Sequence, residues 1–372
     1  MISSPGKAND ARSAGPGDRI HPSDPAQGDG GVRRGRAARS IGLVVVHGVG
    51  RQKPGETVDM LRQAFIALPA VGSRHGTLAG RRPAPEAAAS AADPEARLVL
   101  DIDAPGGGVS IRLYEAYWAD LSTSRSYGRR DAVRYRLWLL WTLVYPVRNF
   151  FGHRYRPVPV APLAFLRWFL ELAATGVAAH LTDLALRAAL GLVGRGREID
   201  RVLLDYGGDV FRYVSGNRAP FLARFREAFA RAAAENAEVQ ILGHSLGSVI
   251  AYDALTAGIL RPEEAAKLSA LHTWGSPLDK FYFVWPHRLR FELAPLPPHP
   301  PRWVNWHRRF DPFGGRLDFF GSVHGLRAPE NLRAKGPGWF AAAHTDYWTN
   351  PRVIGSLLEA LGIGGRSAPG AG

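Results

Sequence analysis

The stretch Val239-Gln240-Ile241-Leu242-Gly243-His244-Ser245-Leu246-Gly247-Ser248-Val249-Ile250-Ala251-Tyr252 constrains the fold more than any other part of the chain. An apolar run ends at Gly243, Ser245 follows two positions later, Gly247 comes next, and a helical apolar pattern begins. This reads as a strand, a sharp turn and a helix, with Ser245 at the apex. Such a turn holds its central residue in a strained conformation, and small residues two positions to either side let strand and helix approach closely. Ser245 Oγ is then presented at the C-terminal edge of a sheet, with the Leu246 N–H aimed where an oxyanion would form. The plain alternative is a glycine-rich strand-to-helix turn with no chemistry.

Gly243 to Gly247, with the following Ser248-Val249-Ile250-Ala251-Tyr252-Asp253, resembles the nucleophile elbow of the serine α/β-hydrolases. Within them the chain is most similar to the lipase and lipid-deacylase branches, including GPI inositol-deacylase-like and DDHD-type phospholipase proteins. The likeness covers residues 41–70, 97–121 and 200–362. It implies an α/β-hydrolase fold: a mostly parallel, doubly wound sheet, here with a helical insertion. It also implies a triad in the order Ser, acid, His, and a second oxyanion donor from an early loop.

Ile41 to Val46 is an unbroken apolar run of the kind a buried parallel strand carries, and it leads into His47-Gly48-Val49-Gly50. The resemblance assigns the second oxyanion donor to the Val49 amide, with Gly48 beside it. His47 is expected to order this loop by hydrogen bonding. His47, Gly48, Gly243, His244 and Gly247 form the supporting set around Ser245.

A serine hydroxyl needs an imidazole to take its proton, and that imidazole needs a carboxylate to fix its tautomer. Arg302 to Trp306 reads as a strand leading to Asp311-Pro312-Phe313-Gly314, which matches the family's acid loop and makes Asp311 the acid, with Asp279 in reserve. The turn-initiating role of an Asp before Pro is the bland reading of Asp311. His344, expected in a loop ahead of a last helix over 352–361, is the base, with His324 a distant second. No metal-ligand or nucleotide-binding motif is present, and no cofactor is expected.

The rest of the chain bounds the setting. Residues 1–40 are polar, rich in Gly and Pro, and read as a disordered basic tail. The core is expected over 41–121 and 200–364, with a helix over 56–68, a loop over 69–96 and a strand pair over 97–118. An amphipathic helix over 217–236 runs into the Ser245 strand, and 365–372 is a flexible C-terminus. Tyr282 to Leu293 and 295–301 read as an aromatic loop able to line an acyl pocket.

Residues 122–199 depart from the pattern and read as a helical insertion. Leu137 to Val147 is an uncharged apolar run of 11, too short to span a bilayer as a helix. Within 121–160 eight arginines face one aspartate, a charge of +7 out of the chain's +14. A helical cap, an interfacial anchor on an anionic membrane, and a spanning hairpin or dimer contact are the competing readings. The chain contains no cysteine, so it has no disulfide, thiol nucleophile or thiolate metal site. No secretory signal pattern opens it, and a cytoplasmic location, peripheral on the inner membrane face, is the expectation.

The function expected is hydrolysis of a carboxylic ester, of a lipid or other hydrophobic acyl substrate, through an acyl-Ser245 intermediate. Acyl transfer by the same triad and a non-catalytic membrane-associated scaffold are the alternatives. No nucleic-acid partner is expected, since no stacking platform or helix-turn-helix accompanies the basic charge.

Overall fold

A computed structural model describes residues 39–67, 98–104, 107–123, 208–214, 216–286, 301–309, 311, 313–320, 328–336 and 341–363, with parts of 147–152 and 162–170. The strands are β1 (Arg39–Val46), β2 (Leu98–Ala104), β3 (Gly107–Glu115), β4 (Glu238–His244), β5 (Leu268–Trp274), β6 (Arg302–His307) and β7 (Glu330–Arg333). They form one sheet in the order β2-β3-β1-β4-β5-β6-β7. Six strands run parallel, and β2 closes one edge antiparallel to β3 through a tight hairpin pairing Ala104 with Gly107.

Helices cover both faces, as the apolar character of the central strands requires. On one face α3 (Ala219–Glu235) and α4 (Leu246–Thr256) pack on Val44, Val46, Val239 and Ile241. On the other, α1 (Glu56–Ala67) and α8 (Pro351–Ala360) pack on Ile41, Leu43, Val45 and Leu242. Alternate residues of β1 thus serve opposite layers, which is why that strand has no polar face to give to water. The remaining short helices are α2 (Ala119–Thr123), α5 (Pro262–Ala265), α6 (Leu278–Val284) and α7 (Ala341–Thr345). Among the described residues no helix is long and apolar enough to cross a membrane.

The chain leaves β1 towards β3 on one side and returns to β4 on the other, so the strand order reverses at the β1/β4 pair. Open parallel sheets leave a crevice at the carboxyl ends of the strands at such a reversal. The turn at Ser245 lies there, and two glycines make it sterically possible. A Cβ on Gly243 would lie 2.6 Å from Ser248 Cα, and one on Gly247 would lie 2.2 Å from the Val46 carbonyl oxygen. Strand, helix and neighbouring strand are closer here than any side chain permits.

Several expectations need correction. The core opens at Arg39, two residues before the expected boundary at 41: Arg39 and Ser40 belong to β1, because β3 extends far enough to pair Arg39 with Val109. Arg39 is ion-paired with Glu238. In α1, Val58, Leu61 and Phe65 are buried as the periodicity predicts, but Ile66 lies off that stripe and is exposed. Tyr282 and Phe283 are not in a loop; Leu278, Phe281 and Tyr282, at helical spacing, are buried as α6. The residues expected as a basic tail before Arg39, the 69–96 loop, 295–300, His324, the C-terminus over 365–372 and most of the 122–199 insertion lie outside the described residues.

Gly247→Ala is expected to destabilise the fold by about 3 kcal/mol or more, since the clash is with backbone that cannot turn away. Gly355→Ala in α8, where an added Cβ meets nothing within 4 Å, is expected to stabilise by about 0.5–1 kcal/mol. Urea denaturation of the two variants measures both, and equal effects would contradict the packing described.

Candidate active site

Five strand ends converge on one place. The loop after β1 brings His47 and Gly48, the turn after β4 brings Ser245, Gly275 follows β5, Asp311 follows β6 and His344 lies beyond β7. Ser245 has φ 51° and ψ −126°, and it is the one non-glycine residue with positive φ among the described residues. Backbone held there costs about 1–3 kcal/mol and persists only where surroundings impose it. Here the Ser245 N–H donates to the Trp274 carbonyl at 3.0 Å, and Ser248 Oγ donates to the Ser245 carbonyl at 2.6 Å. Ser276 Oγ lies 2.7 Å from Ser248 Oγ, and both hydroxyls are fully buried.

Ser245 Oγ is 2.8 Å from His344 Nε2. On its other side the His344 ring presents Nδ1 to the Asp311 carboxylate at 2.9 and 3.0 Å. Asp311 also accepts the Phe313 and Gly314 amides, each at 2.9 Å, and the Tyr347 hydroxyl at 2.8 Å. Burial alone would raise this carboxyl; hydrogen bonding and the charge of His344, the Gly314 amide and Tyr347 outweigh it and hold Asp311 well below the usual carboxylate range. Asp311 accepts the proton carried on Nδ1, and a ring bearing that one proton turns the Nε2 lone pair to the serine hydroxyl. Burial and the neighbouring carboxylate raise the Tyr347 phenol, so it remains a donor.

His344 sits in α7, a short helix followed by a 3₁₀ turn over Asp346–Trp348, and not in the open loop the sequence suggests. Arg308 pairs with Asp346 and Tyr347 reaches Asp311, so the turn is tied down from β6 on both sides. Asp279, the reserve acid, is paired with Lys280 Nζ at 3.1 Å, and it is Asp311 that meets the His344 ring.

The neighbouring histidines have other work. His47 Nε2 accepts the Trp118 backbone N–H at 3.1 Å, Nδ1 donates to the Gly48 carbonyl at 2.8 Å, and its ring stacks on the Trp118 indole. Burial lowers its pKa to about 4, so it is neutral and orders the loop. His244 Nε2 donates to the His344 backbone carbonyl at 2.8 Å, and burial with the adjacent His344 lowers its pKa to about 3. It ties the strand that carries Ser245 to the helix that carries the base.

Gly48 lies directly against the turn; a Cβ there would be 2.8 Å from Ser245 Cβ. Val49 follows it, half-buried against the apolar layer. The Leu246 N–H is in the first turn of α4, where amides have no intrahelical acceptor. Among the described residues no group of three or more His, Asp or Glu side chains could hold a metal ion. Together the three side chains can move a proton from Ser245 to His344 while Asp311 steadies the resulting imidazolium.

Sequence reasoning missed four contributors. Gly275, at φ 55°, leaves room that a Cβ would fill 3.0 Å from Asp311 and 3.1 Å from His344. Tyr347 bonds the acid, Ser276 supports Ser248 beneath the turn, and Phe313 sets its ring edge-on to His344 at 4.9 Å while remaining 47% exposed. The Gly275-Ser276 and His-x-Asp-Tyr-Trp strings were visible in the sequence, but no spacing assigned these residues a contact. No family model matches the chain, and no curated protein matches it.

His244→Ala is expected to destabilise the fold by about 1–3 kcal/mol, because the buried His344 carbonyl loses its donor. His244→Gln, which keeps a donor, should recover part of the loss in the urea midpoint, whereas a purely packing role would show no rescue. A second expectation concerns pH. His47, His244 and His272 have folded pKa values of about 4, 3 and 3 against 6.5 when unfolded. Between those limits the unfolded chain binds more protons, so their stabilisation is complete above about pH 6.5 and is lost as pH falls. The slope approaches about 4 kcal/mol per pH unit near pH 5 for the three together. Urea midpoints measured from pH 7 to 4.5 check this, and a flat profile would contradict neutral burial of the three rings.

Proposed function

We propose that the chain is a serine hydrolase of α/β-hydrolase fold that cleaves carboxylic esters through an acyl-Ser245 intermediate. The observation that carries this reading is the continuous hydrogen-bonded line from Ser245 through His344 to Asp311, built on a strained turn at the carboxyl end of a parallel sheet. Ser245 Oγ attacks the ester carbonyl as His344 Nε2 takes its proton. The Leu246 and Val49 amides are the donors assigned to the oxyanion. Collapse of the tetrahedral intermediate expels the alkoxide, which receives the proton from His344. Water then attacks the acyl carbon as the same nitrogen takes its proton, and collapse of the second intermediate breaks the bond to Ser245 Oγ, which recovers the proton from His344 as the acid leaves.

Asp311 stabilises the imidazolium and does not itself take the proton, in keeping with its depressed pKa. The exposed Phe313 ring beside His344 favours an apolar group at the reacting carbonyl. A hydrophobic acyl ester is therefore the substrate class we assign.

Fluorophosphonate labelling tests the reading. Wild type is expected to label, and Ser245→Ala and His344→Ala to lose labelling by at least about 1,000-fold. Asp311→Asn is expected to fall by roughly 100- to 10,000-fold with the fold retained. An ester panel graded in acyl length should favour longer chains. A folded wild type that neither labels nor turns over any ester would sink the proposal.

A further inference from the structure

Two helical pieces of the 122–199 insertion are described, and they divide their apolar side chains between two directions. Phe165 is buried, stacks on Phe150 at 4.3 Å between centroids, and meets Phe283 of α6 at 6.1 Å. Phe165 and Phe169 are spaced i, i+4 and stack together. The helix around them is therefore seated on the core by aromatic contacts.

Leu163, Leu166 and Leu170 fall at i, i+3 and i+7 on the same helix and share another face. They are exposed, Leu163 by 79%, and Phe151 beside Phe150 is exposed by 75%. Leucines repeated on one outward face of a seated helix form an apolar stripe that no described residue covers, the kind of surface that marks an interaction site.

Charge decides between occupants. Arg148 and Arg167 are exposed on these pieces; the sequence over 121–160, most of it outside the described residues, holds eight arginines against one aspartate. A second copy of the chain would bring the same positive charge to the same patch across a two-fold axis. An anionic bilayer offers acyl chains to the leucines and phosphates to the arginines at once.

We propose that the outward face carried by Leu163, Leu166 and Leu170 seats on an anionic lipid bilayer. Phe165 links that face to α6, which begins just after Gly275 and Ser276 at the edge of the site. The surface thereby holds the proposed ester hydrolase against a source of apolar acyl substrate. This last step rests on the function proposed above; the docking itself does not.

Flotation of the full-length Ser245→Ala protein, which cannot consume lipid, with vesicles of phosphatidylcholine alone or mixed with phosphatidylglycerol tests the docking. Binding to the anionic vesicles is expected to exceed binding to neutral ones at least about tenfold, and to weaken about tenfold on raising salt from about 0.1 M to 0.5 M. The Leu163→Ser, Leu166→Ser, Leu170→Ser triple variant should lose about 100-fold, while the same triple change in the wild-type background keeps its turnover of a soluble short-chain ester. Should that variant fail to fold, Leu163→Ser alone is expected to lose about tenfold. Absent binding of the parent protein, equal binding of parent and variant, or a dimer in sedimentation velocity that the leucine changes dissolve would overturn the proposal. Vesicle binding without fluorophosphonate labelling would keep the surface and reject the hydrolase. Labelling without vesicle binding would do the reverse.

Discussion

The approach of α4 to the backbone of β1, with nothing but a glycine hydrogen between them, is the contact on which the rest of the site depends. Gly247 sits against the Val46 and His47 carbonyls, and Gly243 against Ser248. With both ends of the turn clamped, Ser245 has no relaxed conformation available, and its φ of 51° follows. The strain aims Oγ out of the sheet edge. It is sustained by backbone and hydroxyl hydrogen bonds that reach from β5 and α4 into the turn.

The His344 ring is placed by a comparable over-determination. His344 is held by Asp311 at Nδ1, by His244 at its backbone carbonyl, and by the Tyr347 and Arg308 ties on the turn that follows. These groups come from the ends of β4 and β6 and from the turn beyond β7. Burial raises Asp311 and is outweighed by its hydrogen bonds with His344, the Gly314 amide and Tyr347, whereas burial itself lowers His47 and His244, all within one polar network of matched donors and acceptors. Such a network stabilises charge on the acid while denying it to the supporting histidines. Among the described residues the carboxylate that meets the His344 ring is that of Asp311.

The seven-stranded order explains why these groups meet. Strand order reverses at the β1/β4 pair, so loops after β1 and β4 lie side by side although some 200 residues separate them. The parallel run β4-β5-β6-β7 then delivers Gly275, Asp311 and finally His344 in chain order along one edge. The aromatic seat of Phe150 and Phe165 on Phe283 brings the insertion to the same α6 that leaves this edge.

Much of this was legible in the residues. The apolar runs at 41–46 and 239–242, the glycines flanking Ser245 and the amphipathic pattern of 217–236 each record a local steric or burial requirement, and local requirements survive in a linear string. Asp311 and His344 could be nominated through the resemblance, by their order after Ser245 and the strings around them. What no linear string contains is contact between distant segments. That His244 bonds the His344 carbonyl, that Tyr347 rather than another hydroxyl completes the acid, that Gly275 must lack a side chain, and that Phe165 turns inward while Leu166 faces out all depend on the register of parallel strands and the packing of helices against them. Sequence by itself determined the strand-turn-helix, its serine and the chemistry that serine can undertake, because steric need at a turn is local. Tertiary structure alone decided which acid, which base and which supporting groups converge on it, because convergence is set by strand order and distance.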